Sequence, residues 1–154
     1  MRVQAALVEG IAAVPAAAWD ALDPSAHPFL RHAFLEALES SGCVGGDTGW
    51  LPRHLVLHDD EGRLLGAVPQ YLKLHSWGEF IFDWSWAQSY ARAGLEYYPK
   101  LLSAIPFTPV TGPRLLFTQD ADPAMRSALA GLLIGAAREA GVSGVHVNFT
   151  RPDD

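Results

Sequence analysis

The chain has one cysteine, Cys43, in 154 residues. It therefore allows no internal disulfide and no thiolate metal cage. Cys43 follows a helical stretch inside a Gly-rich loop. It does not sit at a helix N-terminus, where a thiol becomes reactive. Charge is sparse as well. Only 18% of residues are Asp, Glu, Lys or Arg, and the net charge is −6. No basic run occurs, which argues against direct nucleic-acid binding. No stretch reaches the roughly 18 uncharged apolar residues of a membrane span. The N-terminal run begins after Arg2, continues to Val8 and is broken by Glu9, so no signal peptide is apparent. These absences predict a cytoplasmic protein. No P-loop, strand-linked GxGxxG or HExxH is found. His54 and His58 stand about 13 Å apart on an extended chain, too far to chelate one ion together. No metal or cofactor is expected.

The length predicts one domain over residues 1–154, able to bury about 70% of its unfolded surface. Val3 to Val8 reads as a first strand. Ala16 to Leu22 reads as a short helix behind Pro15. A second helix opens at Pro28, with Phe29, Leu30, Ala33, Phe34, Ala37 and Leu38 on one face and Gly42 as its cap. His54 to Leu57, HDDEG and Arg63 to Lys73 form a hairpin signal. Pro69 in the return strand predicts a bulge or an edge. Gly78 to Trp84 alternates like a strand, with Glu79, Ile81 and Asp83 on one face. Ala87 to Ala104 reads as helical or irregular, and Phe107 to Phe117 as extended. Asp122 and Pro123 open the last helix, striped by Met125, Leu129, Leu132, Leu133, Ala136 and Ala140. Val145 to Phe149 follows as a buried strand. Strand, helix, strand predicts a parallel crossover from Leu115 to Val145.

The unusual stretch runs from Pro69 to Pro113. It holds all four Tyr and three of the five Trp, with Trp50 just before it. Among these rings lie Lys73, His75, Glu79, Asp83 and Lys100. Tyr and Trp pair a large apolar body with one hydrogen-bonding handle, which suits a binding surface. Glu79, Asp83 and His75 are the candidates for acid–base work, and Lys73, Ser76, Trp84, Tyr98 and Lys100 for substrate contact. On an extended strand Glu79 and Asp83 are about 13 Å apart, too far to act together on one bond. The alternative is structural, with the two acids paired to Lys73, Arg92 or Lys100. Likewise, Tyr97 and Tyr98 either pack, with Pro99 opening a helical turn, or leave Lys100 to meet an anion in an aromatic pocket.

The segments GWLPRHLVL, GAVPQYLKLHSWGEFIFDW and YYPKLLSAIPFTPVTGPRLL resemble the FemAB-like family of peptidoglycan biosynthesis or recognition proteins. That family falls in the GNAT N-acyltransferase superfamily, and the resemblance covers about Pro28 to Phe149. It implies an α/β fold, a GNAT-like mixed sheet flanked by helices, here the amino-terminal portion and incomplete at its carboxy end. It also implies transfer of an acyl or aminoacyl group to an amine of a peptidoglycan precursor or a similar small molecule. Glu79, Asp83 or His75 would then be the base, and Lys100 an anion contact. Aminoacyl-tRNA or another acyl donor would be reached only through a further carboxy-terminal part.

One departure stands out. Acetyl-CoA-dependent GNAT enzymes grip pyrophosphate with Q/R-x-x-G-x-G/A at a helix N-terminus. The corresponding segment here, Thr118 to Pro123, has no Gly and two Asp. CoA binding is therefore not expected at that place. A second reading is a non-catalytic module that binds a sugar-peptide or a protein through its aromatic stretch. An open sheet edge would also favour a homo-oligomer.

Overall fold

A computed structural model describes residues 3–121 and 123–152. The Asp122 cap, Arg2, Asp153 and Asp154 lie outside the described residues. The strands are β1 (Val3–Val8), β2 (Trp50–Pro52), β3 (His54–Asp59), β4 (Leu64–Val68), β5 (Tyr71–Lys73), β6 (Lys100–Ser103), β7 (Leu116–Phe117) and β8 (Val145–Val147). The helices are α1 (Ala16–Asp20), α2 (His32–Ser40), α3 (Trp84–Arg92) and α4 (Pro123–Glu139). Two four-stranded sheets form, ordered β1-β3-β4-β7 and β2-β5-β6-β8.

The two sheets share their long strands. β2 runs into β3 with a break at Arg53, and β4 runs into β5 with a break at Pro69–Gln70. Proline cannot donate to a ladder, so the break falls where the sequence places it. His54 repairs it: Nδ1 accepts the Gln70 amide at 3.1 Å, and Nε2 bonds Glu39 at 2.9 Å. The third long strand is divided by an excursion over residues 104–115. β6 pairs with β5, Lys73 opposite Lys100, and β7 pairs with β4, Ala67 opposite Leu116.

Strand alternation sends side chains to two buried faces. Leu55, Leu57, Val68 and Phe117 meet Leu129 and Leu133 of α4. Val56, Ala67 and Leu116 meet Trp19, Leu30 and Leu35 on the other side. Burying such side chains contributes about 1.5–3 kcal/mol each. The result is an α/β arrangement of one antiparallel and one mixed sheet flanked by helices.

Several sequence expectations are corrected. β7 and β8 are not partners: β7 lies antiparallel to β4, while β8 lies parallel to β6 in the other sheet. The crossover exists, but it leaves from one sheet and returns to the other, because the excursion after Ser103 carries the chain between them. Residues 78–83 form no strand. Gly78 and Phe80 have φ of +81° and +59°, which break any extended run, and α3 begins at Trp84. Pro99 opens no helical turn, since Lys100 to Ser103 is strand. The extended reading of Phe107 to Phe117 survives only at Leu116–Phe117. On α2 the buried face is His32 and Leu35, with Ala33 and Ala37 exposed. His32 is drawn in by Ile11 and Val14 carbonyls at 3.0 and 2.9 Å.

Candidate active site

The charged residues of the aromatic stretch converge at the start of β6. Lys100 is fully buried, and its Nζ lies 2.8 Å from Glu79 Oε2 and 2.6 Å from Asp83 Oδ2. The 13 Å separation expected for the two carboxylates is thus overturned. Left-handed backbone at Gly78 and Phe80 folds residues 76–83 back on themselves, so both acids reach one ammonium. This is the structural pairing that the sequence offered as the alternative. Asp83 accepts further bonds from Tyr97 Oη at 2.6 Å and from Ser76 Oγ, and Ser76 also bonds Tyr98 Oη.

These contacts set the electrostatics. Burial pushes the Asp83 carboxyl up, but bonds from Lys100, Ser76 and Tyr97 outweigh it and hold it at about 2. Burial pushes Glu79 up, with Lys100 opposing. Glu79 Oε1 is buried and has no hydrogen-bond partner among the described residues. Burial raises the phenols of Tyr97 and Tyr98.

Lys73 stands directly opposite Lys100 across the β5–β6 pair and is also fully buried. Its Nζ donates to the Trp77 carbonyl at 3.1 Å and sits 3.8 Å over the Trp50 ring. With no carboxylate in ion-pair contact, burial brings its pKa down to about 7. Like charges directly opposed on a sheet are unfavourable. The neutral amine relieves that repulsion.

His75 does not join the network. Its ring packs over Gly49, where an added Cβ would lie 2.1 Å from Nε2, and Nδ1 accepts the Trp77 amide. Trp84 opens α3 with its ring half exposed, 5.6 Å from Trp77. Among the described residues no three His, Cys, Asp or Glu converge as a metal site.

Beside the network lies a cleft of about 340 Å³, lined by Ile81, Asp83, Trp86, Tyr90, Tyr97 and His146. Asp83 is the member of the ion-pair network that faces it. Tyr97 stands edge-on to both Tyr90 and His146, at 5.1 and 5.9 Å. Sequence reading did not single out His146. The signal was alternation in Val145-His146-Val147, which turns the histidine to the face opposite its valines. Its distance from the aromatic stretch along the chain hid the connection.

The profile of the FemAB-like family, described as peptidoglycan biosynthesis/recognition, matches residues 10–154. Among solved structures, a ribosomal-protein-alanine N-acetyltransferase from Brucella melitensis biovar Abortus 2308 is similar, with a TM-score of 0.54 at 17% identity. The alignment covers 98% of this chain and 82% of that one. At this identity the likeness establishes a shared fold. No curated protein matches.

Proposed function

The chain belongs to the FemAB-like peptidoglycan biosynthesis/recognition family, and from that premise we propose that it serves the transfer of an acyl or aminoacyl group to an amine of a cell-wall precursor. The observation that carries this reading is the buried Lys100–Glu79–Asp83 network opening through Asp83 onto an aromatic cleft. Small-molecule sites are concave, largely apolar and carry a few converging polar groups.

Within this reading the sequence candidates divide by place. Glu79, Lys100, Ser76 and Tyr98 are positioning residues. They hold Asp83 and Tyr97 rigidly at the cleft wall. Lys73 supports the same wall from β5. Trp84 lies outside the cleft lining and contacts the longer part of a substrate. His75 fixes the turn over Gly49. Acyl transfer to an amine needs a proton acceptor and stabilisation of the oxyanion. The test is mass spectrometry of a precursor muropeptide with a free side-chain amine, incubated with aminoacyl-tRNA and the full-length protein that carries this chain together with the donor-binding part. A mass gain of one aminoacyl residue is expected, and it should disappear in Asp83→Asn. Unmodified muropeptide at all protein concentrations would sink the proposal.

A second reading is recognition without turnover. It draws on the rings left in solvent: Trp77 at 67%, Phe82 at 81% and Trp86 at 64% exposure. Such rings stack on sugars or pack on a partner. Calorimetric binding of the same muropeptide with no mass gain would favour this reading.

A further inference from the structure

We propose that His146 is the proton acceptor of the aromatic cleft, taking the proton that an amine bound against Trp86, Tyr90 and Tyr97 must lose when it attacks an acyl carbon. The proposal rests on the acyl-transfer reading above and names the group that would do the proton transfer.

His146 projects from β8 into the cleft and meets Tyr97 edge-on at 5.9 Å. Its ring is half-buried, and its nitrogens make no hydrogen bond to any described residue. A lone pair is therefore available to a ligand. The aromatic walls suit an amine, since ring faces attract an ammonium group.

The other polar groups of this region are engaged elsewhere. Asp83 faces the cleft, but Lys100, Tyr97 and Ser76 already donate to it and make it a weak base. Glu79 is bound to Lys100 and does not line the cleft. Tyr97 Oη–H is engaged as a hydrogen-bond donor to Asp83. Tyr90 contributes its ring to the cleft wall and stands edge-on to Tyr97. His75 packs over Gly49. Burial, then the nearby Lys100 charge, hold His146 below its ordinary value, with Asp83 opposing. Its imidazole is thus unprotonated at neutral pH, the state a base requires.

The step balances without a further reagent. The bound ammonium first gives one proton to solvent; the amine lone pair then forms the N–C bond, and the carbonyl π pair moves to oxygen. The nitrogen, now cationic, passes one proton to His146. The oxyanion collapses and expels the donor's leaving group, which takes the proton from the imidazolium.

The test uses n-butylamine as acceptor and p-nitrophenyl acetate or glycine p-nitrophenyl ester as donor. Amide formation is measured by mass spectrometry, and the His146 ring signal is followed by NMR. Butylammonium should shift the His146 resonance and leave that of His58 in place. Wild type should accelerate amide formation, and the rate divided by the concentration of unprotonated butylamine should rise with pH to a plateau as His146 loses its proton. His146→Gln should lose at least ~100-fold of that acceleration, the lower range for general-base catalysis. His146→Ala should regain part of it with added imidazole, which separates a chemical role from a folding defect. Acceleration retained in His146→Gln would overturn the proposal and leave the acyl-transfer reading standing. A His146 shift with no acceleration in wild type would overturn both. Acceleration with no His146 shift on adding amine would place the amine elsewhere and overturn the proposal.

Discussion

At the residue scale, the decisive group is Asp83. Its carboxylate is nearly buried and accepts from Lys100, Tyr97 and Ser76. Breaking a buried ion pair by removing one partner destabilises by about 3–5 kcal/mol. Glu79 still pairs Lys100 when Asp83 becomes Asn, so the lower end applies. We expect Asp83→Asn to lose about 3 kcal/mol by chemical denaturation, and a loss below about 1 kcal/mol would contradict the network's structural role. Its folded pKa is depressed to about 2, so this stability is present above the unfolded value of 3.8 and is lost as pH falls toward 2. Lys73 works in the opposite range. Its folded pKa is about 7 against 10.5 in the unfolded chain, so above pH 7 the unfolded state binds more protons. Stability should therefore rise between pH 7 and about 9.5, with a slope of up to about 1.4 kcal/mol per pH unit from this group. Lys73→Met should flatten that rise. An unchanged slope in the variant would show that the titration lies elsewhere. These residues were visible in the sequence as a cluster. Lys100 was one of three partners the sequence offered; that both acids reach the same ammonium was not legible, because it depends on the fold-back at Gly78 and Phe80, and phenylalanine gives no sign that it will adopt positive φ.

At the element scale, the hairpin of β3 and β4 and α4 were legible because each carries its own period and stop signal; β8 was legible as a strand, but it ends at Val147 and is partly exposed where a buried strand to Phe149 was expected. Pro69, read as a bulge or an edge within one strand, instead marks a break that divides the strand between the two sheets. The segments read wrongly are those whose conformation is set from a distance. Residues 78–83 alternate like a strand, yet the pull of Lys100 on two carboxylates decides their course. Lys100 to Ser103 looked irregular because a strand buried on both faces shows no alternation. Gly49 illustrates how tightly these joins are made. It ends the Gly-rich loop at φ +74°, under the His75 ring. Gly49→Ala combines left-handed strain with a clash, and a loss of about 1–3 kcal/mol is expected. Adding His75→Ala should restore only the clash part. Full recovery in the double variant would mean that backbone conformation contributes nothing there. The entry to α4 carries a further expectation. Asp120 pairs with Arg63 at 3.7 Å, and no glycine amide precedes Pro123 to cradle a pyrophosphate. Titration calorimetry with acetyl-CoA should show nothing tighter than about millimolar, roughly −4 kcal/mol. Micromolar binding would overturn this reading of the loop.

At the scale of the whole molecule, the sheet edges matter most. β8 pairs with β6 on one side, and among the described residues no strand covers its other side. An unpaired edge is a template for another chain unless charge, proline or a covering element blunts it. Here the neighbourhood is apolar. Val147 and Ile134 are 36% and 48% exposed, and Leu115, Leu133 and Val145 line an open cleft of about 290 Å³ beside them. The occupant that needs no further ingredient is a second copy, joined edge to edge about a two-fold axis, with Ile134 of each chain against the other's cleft. A two-fold contact uses the same patch on both partners, so one substitution acts twice. We expect light scattering to report a dimer or larger species at micromolar concentration. Val147→Lys together with Ile134→Glu should yield a monomer with an unchanged circular dichroism spectrum, because both side chains are already partly in solvent. A wild-type monomer at all accessible concentrations, or a dimer indifferent to this double substitution, would exclude the β8 edge as the contact.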